Sequence, residues 1–303
     1  MVASALTTQR RQQAARTVMS LLIFGKNGQL SRALQRSCRA SNKAFSCHGR
    51  EELDLIAHPE NTTSLIRRLN PKAVINACAF TDVDGAETRT AEANILNAKA
   101  PGIMAAACQS LKIPFIHIST DYVFDGTKDG SYMPSDKRNP LNTYGRSKAA
   151  GERAVIAVGG QSLILRTSWV YDAQAKNFFT TMLKLAKSET HLDLVDSEFG
   201  RPTYAGHLAQ ACLASLEYVP TKPTIYHVTN SGPIISWAAF AEAIFNRAGL
   251  HPDISHVDAT HFARAAKRPA NSAMDISDFE RDFHYPLEDW ETGLDLAFQD
   301  LKR

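Results

Sequence analysis

Tyr144 and Lys148 are the side chains whose spacing first suggests chemistry, within "NPLNTYGRSKAAGE" at residues 139–152. Residues four apart share one face of an α-helix, so the Lys148 ammonium can lie beside the Tyr144 phenol or beside a bound ribose. A free phenol has a pKa of about 10 and needs a nearby cation before it can shuttle protons at neutral pH. Taken alone, this spacing is more often structural than catalytic.

A third polar side chain raises the specificity of the pattern. In "HISTDYVFDG" (117–126), Ser119, Thr120 and Asp121 follow an apolar strand and emerge at its C-terminal end, where parallel sheets bind ligands. A hydroxyl at that edge can hydrogen-bond a carbonyl oxygen. We therefore expect Thr120 to polarise a substrate carbonyl while Tyr144, biased towards the phenolate by Lys148, exchanges a proton with it.

An upstream glycine turn predicts the hydride source. "LLIFGKNGQLSRALQ" is a strand, a turn and a helix with the spacing Gly25-x-x-Gly28-x-x-Ser31. Gly25 allows the tight turn, Gly28 lets the backbone approach a pyrophosphate, and the helix N-terminus attracts that anion. Ser31 replaces the usual third glycine, so we expect slightly looser packing there.

The end of the second predicted strand, "KAFSC" (43–47), indicates the type of dinucleotide. NAD enzymes place an acidic residue there for the ribose 2′-hydroxyl, and this chain has none. Arg50 follows the strand, and Arg32, Arg36 and Arg39 are available from the preceding helix to neutralise a 2′-phosphate. The sequence predicts NADPH, with NADH as the alternative.

Composition excludes several other classes. The 303 residues are 44% hydrophobic and 21% charged with a net charge of +3, which is typical of a soluble globular protein and indicates neither a nucleic-acid partner nor a membrane span. Five scattered cysteines without C-x-x-C spacing, and histidines without ligand spacing, predict no disulfide framework and no metal site. A cytoplasmic protein is expected.

Strand-like and helix-like runs alternate through the first half of the chain. They predict an α/β fold with a doubly wound parallel sheet (Rossmann-like) and a smaller C-terminal substrate-binding lobe. We expect a disordered extension over 1–18, with a transit peptide as the alternative, an NADP-binding domain over 19–171, and a mainly substrate-binding lobe over 172–303 whose chain can cross back to the core. The predicted strands are 21–24, 43–47, 73–78, 114–119 and 162–171, and the predicted helices of the second lobe are 177–188 and 236–249, the latter capped by Ser236.

The chain resembles the extended short-chain dehydrogenase/reductases. The likeness runs from about Met19 to the C-terminus and rests on "FGKNGQL", "VINACAFTDVDGAE", "NA" (97–98), "STDYVFDG", "PLNTYGRSKAAGE", "LRTSWVY", "FGRPT", "KRPANS" and Trp290. It implies NADPH-dependent reduction of the C4 ketone of dTDP-4-dehydro-L-rhamnose to dTDP-L-rhamnose, a step in cell-surface polysaccharide synthesis, with Tyr144 giving a proton to O4.

The same resemblance implies a set of site residues. The catalytic residues would be Thr120, Tyr144 and Lys148. The cofactor would contact Gly25, Gly28, Gln29, Leu30, Arg50, Asp54, Leu55, Ala79, Phe80, Thr81, Tyr144 and Lys148. The nucleotide-sugar substrate would contact Thr120, Asp121, Trp169, Arg268 and Asn271.

Departures from the family pattern leave some alternatives open. Phe80 stands where a polar or Tyr side chain is frequent. The first helix lacks the carboxylate that some members use for Mg²⁺ at a dimer interface, which argues against that metal and that dimer mode, while a homodimer of another kind stays open. Tyr122 follows Thr120-Asp121 where dehydratases carry a second acid, which favours simple reduction. Another nucleotide-sugar 4-ketoreductase, a non-catalytic subunit resembling the methionine adenosyltransferase regulatory β subunit, and a generic metabolite-binding Rossmann protein stay open.

Overall fold

The computed structural model describes residues 21–174 and 176–302, so the expected extension over 1–18 lies outside the described residues. Within them, six parallel strands form the main sheet in the order β10-β5-β4-β3-β1-β2, which confirms the predicted parallel sheet. The strands are β1 (Leu21–Phe24), β2 (Phe45–His48), β3 (Ala73–Asn76), β4 (Phe115–Thr120), β5 (Ser162–Thr167), β6 (Val170–Tyr171), β7 (His191–Val195), β8 (Phe199–Gly200), β9 (Thr203–Tyr204), β10 (Thr224–His227), β11 (Ile235–Ser236) and β12 (Asp253–Val257).

The helices fall between these strands and after them. They are α1 (Gln29–Ala40), α2 (Asn61–Leu69), α3 (Gly85–Thr88), α4 (Thr90–Asn94), α5 (Ala100–Leu111), α6 (Thr143–Val158), α7 (Phe178–Ser188), α8 (Ala205–Ser215), α9 (Trp237–Ala248), α10 (Ser277–Phe283) and α11 (Trp290–Leu301). A π-helical turn, Ile95–Lys99, joins α4 to α5, and 3-10 turns cover Asp121–Val123 and Ala259–His261.

Helices cover both faces of the main sheet. Alternate residues of β1, β3 and β5 pack against α1 and α8 on one face, and the residues between them pack against α2, α5 and α6 on the other. This explains why β1 and β3 are buried along their whole length and consist almost entirely of apolar residues.

The order of the strands creates a crevice beside β1. The chain runs from β1 outwards to β2 and then returns to β3 on the opposite side of β1. Connections that leave a parallel sheet in opposite directions separate at the carboxyl ends of the strands, which is where ligands bind in open α/β sheets. A ligand site is therefore expected in the crevice between the ends of β1 and β3.

A separate apolar core builds the second lobe from α7, α9, α11 and the parallel pair β7 and β12. The side chain of Ser236 accepts a hydrogen bond from the backbone N–H of Ala239, which confirms the predicted cap of α9. Between the elements of this lobe, α8 and β10 return to the main sheet, where β10 pairs with β5. The division at residue 171 stays a prediction.

One expected element was wrong, and one helix was not predicted. The expected strand 162–171 is interrupted, because Trp169 has a left-handed φ of 49° that no strand accommodates. Helix α8 was not predicted because it is buried on several sides, so its sequence lacks the single apolar stripe that marks a surface helix.

A buried ion pair joins α6 to the sheet. Arg166 on β5 donates from Nε and Nη2 to the two carboxylate oxygens of Glu152, each at 2.8 Å, and both side chains are almost inaccessible to water. Arg138 adds a third contact at 3.0 Å, and the Ser119 hydroxyl donates to the same carboxylate at 2.6 Å. The guanidinium of Arg166 also lies over the Phe124 ring.

Breaking this pair from one side should destabilise the fold strongly. Glu152→Gln leaves the Arg166 guanidinium buried and uncompensated, which costs about 3–5 kcal/mol of unfolding free energy. Urea denaturation followed by circular dichroism measures this cost. Asp278→Asn, which breaks an exposed ion pair with Arg281 at 2.7 Å, is the control and should leave stability nearly unchanged. A similarly small change for Glu152→Gln would contradict the assigned role.

Candidate active site

The glycine turn after β1 forms a cradle beside the end of β3. Gly25 has a φ of 105°, and a Cβ added there would lie 2.9 Å from the backbone of Ala77 and Cys78. Gly28 precedes α1 without any side-chain cap, and the first turn of the helix holds no acidic residue. The positive end of α1 is thus open to an anion. Ser31, in place of the third glycine, is buried with its hydroxyl 3.3 Å from Cys47 Sγ.

A cavity of about 420 Å³ extends from this turn towards the end of β2. Of the predicted cofactor residues it is lined by Gly25, Gly28, Arg50, Asp54, Leu55, Ala79, Phe80 and Thr81. The Asp54 carboxylate accepts the backbone N–H groups of Ile56 and Ala57, at 2.9 and 3.2 Å, so it shapes the loop that forms one wall. The Arg89 guanidinium lies over the Phe80 ring, 4.7 Å from its centroid.

The four arginines expected near a 2′-phosphate are in different places. Arg50 lines the first cavity, is largely exposed, and lies 3.3 Å from Asp54. Arg36 pairs with Asp172 at 3.3 Å, and Arg39 lies over the Phe45 ring, so both are committed to other contacts. Arg32 faces a second cavity. The expectation that the helix arginines assist Arg50 is therefore wrong.

The second cavity, of about 500 Å³, shares the glycine turn with the first and reaches the ends of β4 and β5. Of the predicted residues it is lined by Gly28, Gln29, Leu30, Ala79, Thr81, Thr120, Asp121, Tyr144, Lys148 and Trp169. Chain segments from residue 28 to residue 169 thus meet around one space. Tyr122, Thr167, Lys176 and Trp237 also line it, and none of these had been predicted as a site residue.

Tyr144 lies in the first turn of α6 and lines this cavity. The side chain of Asn142 caps the helix by accepting from Gly145 N at 2.8 Å. Burial raises the pKa of the Tyr144 phenol to about 12, although a hydrogen bond with Thr120 lowers it. The expected bias towards the phenolate is absent within the protein itself. The phenol keeps its proton at neutral pH, which suits a proton donor.

Lys148 lies one turn further along α6 and is almost fully buried. Its Nζ donates to the backbone oxygen of Ile118 at 2.6 Å, which directs the ammonium to the end of β4. Burial lowers the pKa of Lys148 to about 8, and the negative charge of Glu152 opposes this fall. The ammonium is therefore held by a strand backbone and a buried carboxylate.

Asp121 is buried and bound on both sides. Its Oδ1 accepts from the Thr120 hydroxyl at 2.8 Å, and its Oδ2 accepts from the Ser272 hydroxyl. Burial raises the pKa of Asp121 to about 6, and these two hydrogen bonds oppose the rise. Ser272 was missed by sequence reasoning, although it ends the "KRPANS" motif that had been noted.

Asn97 was also missed, although it belongs to the noted "NA" pair. Its amide side chain binds both the N–H and the C=O of Phe80, at 2.8 and 3.0 Å, and donates to the Ser147 hydroxyl at 2.9 Å. One side chain in the π-helical turn therefore fixes the loop after β3 to the helix that carries Tyr144 and Lys148. Single π-helical turns often mark functional sites.

Trp169 is held in its left-handed conformation by close neighbours. Its ring stacks on Trp237 with centroids 3.6 Å apart and an interplanar angle of 10°. A Cβ added to Gly200 would approach the Trp169 ring to 2.8 Å, so a glycine is required there. Backbone strain of this kind is concentrated at binding sites.

Arg268 and Asn271 line neither of the two cavities. Arg268 pairs with Asp84 at 2.7 Å, and Asn271 donates to the backbone oxygens of Lys128 and Gly130, both at 2.7 Å. The "KRPANS" segment thus holds the loop after β3 and the loop after β4 together. Sequence reasoning located the right segment, but these two side chains face loops and not the cavity.

Within residues 21–174 and 176–302, no three His, Cys, Asp or Glu side chains come together as they would around a metal ion. No helix in this part of the chain is long and apolar enough to cross a membrane.

Comparisons with known proteins agree with this geometry. The family model described as the RmlD substrate binding domain matches residues 19–303. The dTDP-4-dehydrorhamnose reductase of Burkholderia thailandensis is 36% identical, with 93% of this chain and 99% of the relative covered, and that of Escherichia coli K12 is 34% identical, with 93% and 98% covered. The crystal structure of dTDP-4-dehydrorhamnose reductase from Bacillus anthracis in complex with NADP has a TM-score of 0.88 and 30% identity, with 93% and 99% covered. The chain belongs to the RmlD substrate-binding domain family.

Proposed function

We propose that this protein is an NADPH-dependent oxidoreductase that reduces the C4 ketone of dTDP-4-dehydro-L-rhamnose to dTDP-L-rhamnose. The observation that carries the proposal is one cavity in which Thr120, Tyr144 and Lys148 meet the open N-terminus of α1. The relatives named dTDP-4-dehydrorhamnose reductase, which match almost the whole chain, supply the substrate.

The residues at the glycine turn fit a dinucleotide. The contact between Gly25 and the backbone of Ala77 and Cys78 leaves no room for a side chain, and the uncapped start of α1 offers N–H groups to a pyrophosphate. Arg50 would hold the 2′-phosphate, while Asp54 and Leu55 would border the adenosine and Ala79, Phe80 and Thr81 the nicotinamide half. When bound, NADPH supplies the hydride that C4 receives.

Tyr144 would donate the proton that the reduced carbonyl oxygen needs. Because its pKa is raised to about 12, the phenol is protonated at neutral pH. Lys148 lies one helical turn from Tyr144, and its ammonium is fixed by the Ile118 carbonyl. It would stabilise the phenolate that forms when the proton leaves. Cation and phenol are thus set by one helix, so their separation does not depend on a loop.

Thr120 would polarise the carbonyl after a change of its hydroxyl direction. In the structure the hydroxyl donates to Asp121 and accepts the N–H of Tyr122 at 3.2 Å. Rotation of this hydroxyl towards the substrate leaves Asp121 still bound to Ser272. Asp121 and Trp169 would border the sugar, while contacts of Arg268 and Asn271 with the nucleotide, a homodimer and a cytoplasmic location stay predictions.

Replacing the proposed acid should remove turnover while leaving binding intact. Tyr144→Phe should lower kcat about 10²- to 10⁴-fold, because a positioned proton donor contributes that much. The loss of NADPH absorbance with the dTDP-4-keto sugar measures the rate, and calorimetry measures NADPH binding. Tyr218→Phe, which removes an exposed phenol that lines neither cavity, is the control and should keep the wild-type rate. Turnover by Tyr144→Phe near the wild-type rate would refute the role, and a wild type without turnover would favour a regulatory protein.

The reaction should slow as the pH rises through about 8. Burial lowers the pKa of Lys148 to that value, so the ammonium is present below pH 8 and lost above it. The pH profile of kcat/KM reports this group in the free enzyme. In Lys148→Arg the guanidinium stays charged, so whatever activity is left should show no fall near pH 8. A flat wild-type profile from pH 7 to 9.5 would contradict the assignment.

Arg50 should determine the preference for NADPH over NADH. Arg50→Gln should raise the KM for NADPH about tenfold, since a charge-assisted hydrogen bond to the 2′-phosphate is lost, and leave the KM for NADH unchanged. Steady-state kinetics with both cofactors tests this. A wild type that prefers NADH would overturn the proposed cofactor.

A further inference from the structure

Two residues that line the second cavity carry buried polar atoms without hydrogen-bond partners. Among the described residues, seven buried side-chain nitrogen and oxygen atoms lack a partner, and two of them, Arg32 Nε and Thr167 Oγ1, belong to residues that line the second cavity. Buried polar groups in folded proteins nearly always have a partner, so an unpartnered pair in one cavity indicates a ligand.

The two residues come from different elements. Arg32 lies on α1, one turn after Gly28, and Thr167 ends β5 as the direct strand neighbour of Thr120. Thr167 is only 6% exposed, so its hydroxyl has no ready access to bulk water. The exposed Lys176, just before α7, lines the same cavity. No side-chain hydrogen bond or ion pair involves Arg32 or Lys176 within residues 21–174 and 176–302.

The neighbouring charges are already committed. Arg36, one turn beyond Arg32, is paired with Asp172, and Lys148 is bound to the Ile118 carbonyl. Asp121, the acidic residue that lines this cavity, is held by Thr120 and Ser272. Arg32 and Lys176 therefore bring two positive charges to the lining of this cavity, and together with Thr167 they supply several free donors.

We infer that Arg32, Thr167 and Lys176 form a subsite that binds a diphosphate ester. The inference rests on the proposed function, which brings two such groups to this cavity, the diphosphate of NADPH and that of the nucleotide sugar. A guanidinium offers paired N–H donors to phosphate oxygens, and the ammonium and hydroxyl add single donors. This assignment moves Arg32 from the 2′-phosphate to a diphosphate.

Isothermal titration calorimetry in two arms tests the subsite. One arm titrates NADPH into the protein, and the other titrates dTDP into the protein saturated with NADP⁺. Arg32→Gln should weaken binding about 10- to 100-fold in one arm, and Thr167→Val should weaken the same arm about 2- to 10-fold. Arg39→Gln, which removes an exposed charge from the same helix, is the matched control and should change neither arm by more than about twofold.

The two titrations identify which diphosphate the subsite binds. Loss of NADPH affinity assigns the subsite to the cofactor, and loss of dTDP affinity assigns it to the nucleotide sugar. Arg32→Gln and Thr167→Val that bind both ligands as tightly as the wild type would overturn the subsite alone. A wild type that binds neither ligand would overturn the proposed function and the subsite with it. If Arg32→Gln fails to fold, Arg32→Lys takes its place in the test. Because the lysine keeps the charge, this variant should retain much of the affinity.

Discussion

The buried ion pair between Glu152 and Arg166 is the constraint on which the site depends. It joins α6 to β5, and through Ser119 the same carboxylate also holds β4. The helix that carries the phenol and the ammonium is thereby fixed to the strands that end in the site's two threonines. The carboxylate cannot be lost alone, because the Arg166 guanidinium would then be left in the interior without its counter-charge. Stability and catalysis are coupled here through one carboxylate, which also counteracts the fall in the Lys148 pKa.

Much of the fold and part of the site could be predicted because they follow local rules. Short buried strands alternating with helices require a parallel sheet, and such a sheet places Gly25 and Thr120 at one edge. The prediction that Tyr144 and Lys148 share one helix face required only the helical repeat. The structure brings these residues together around two adjoining cavities. Each prediction depended on residues close in sequence or on the direction of the strands.

The rest depends on contacts between segments far apart in sequence. Arg268 and Asn271 carry suitable groups for a nucleotide, but they line neither cavity, and Asp84 and the backbone of the 128–130 loop bind them in this structure. Ser272 ends the same motif, but its partner, the buried Asp121, is 151 residues away in the sequence. The conformation of Trp169 requires a second tryptophan and a glycine from other parts of the chain. No periodicity or spacing encodes such partners, so only the fold reveals them.

The π-helical turn Ile95–Lys99 also limits how the chain length can change. It lies between α5 and the segment that holds Glu87, whose carboxylate accepts from the Thr143 N–H and hydroxyl at 2.7 and 2.8 Å. Deleting or inserting one residue in that turn would rotate everything before it by about 100° around the helix axis. Glu87 would lose its hydrogen bonds with Thr143 at the start of α6, and the Asn97 side chain would no longer face the Phe80 backbone. The number of residues in this turn is therefore fixed by the two loops that it has to match.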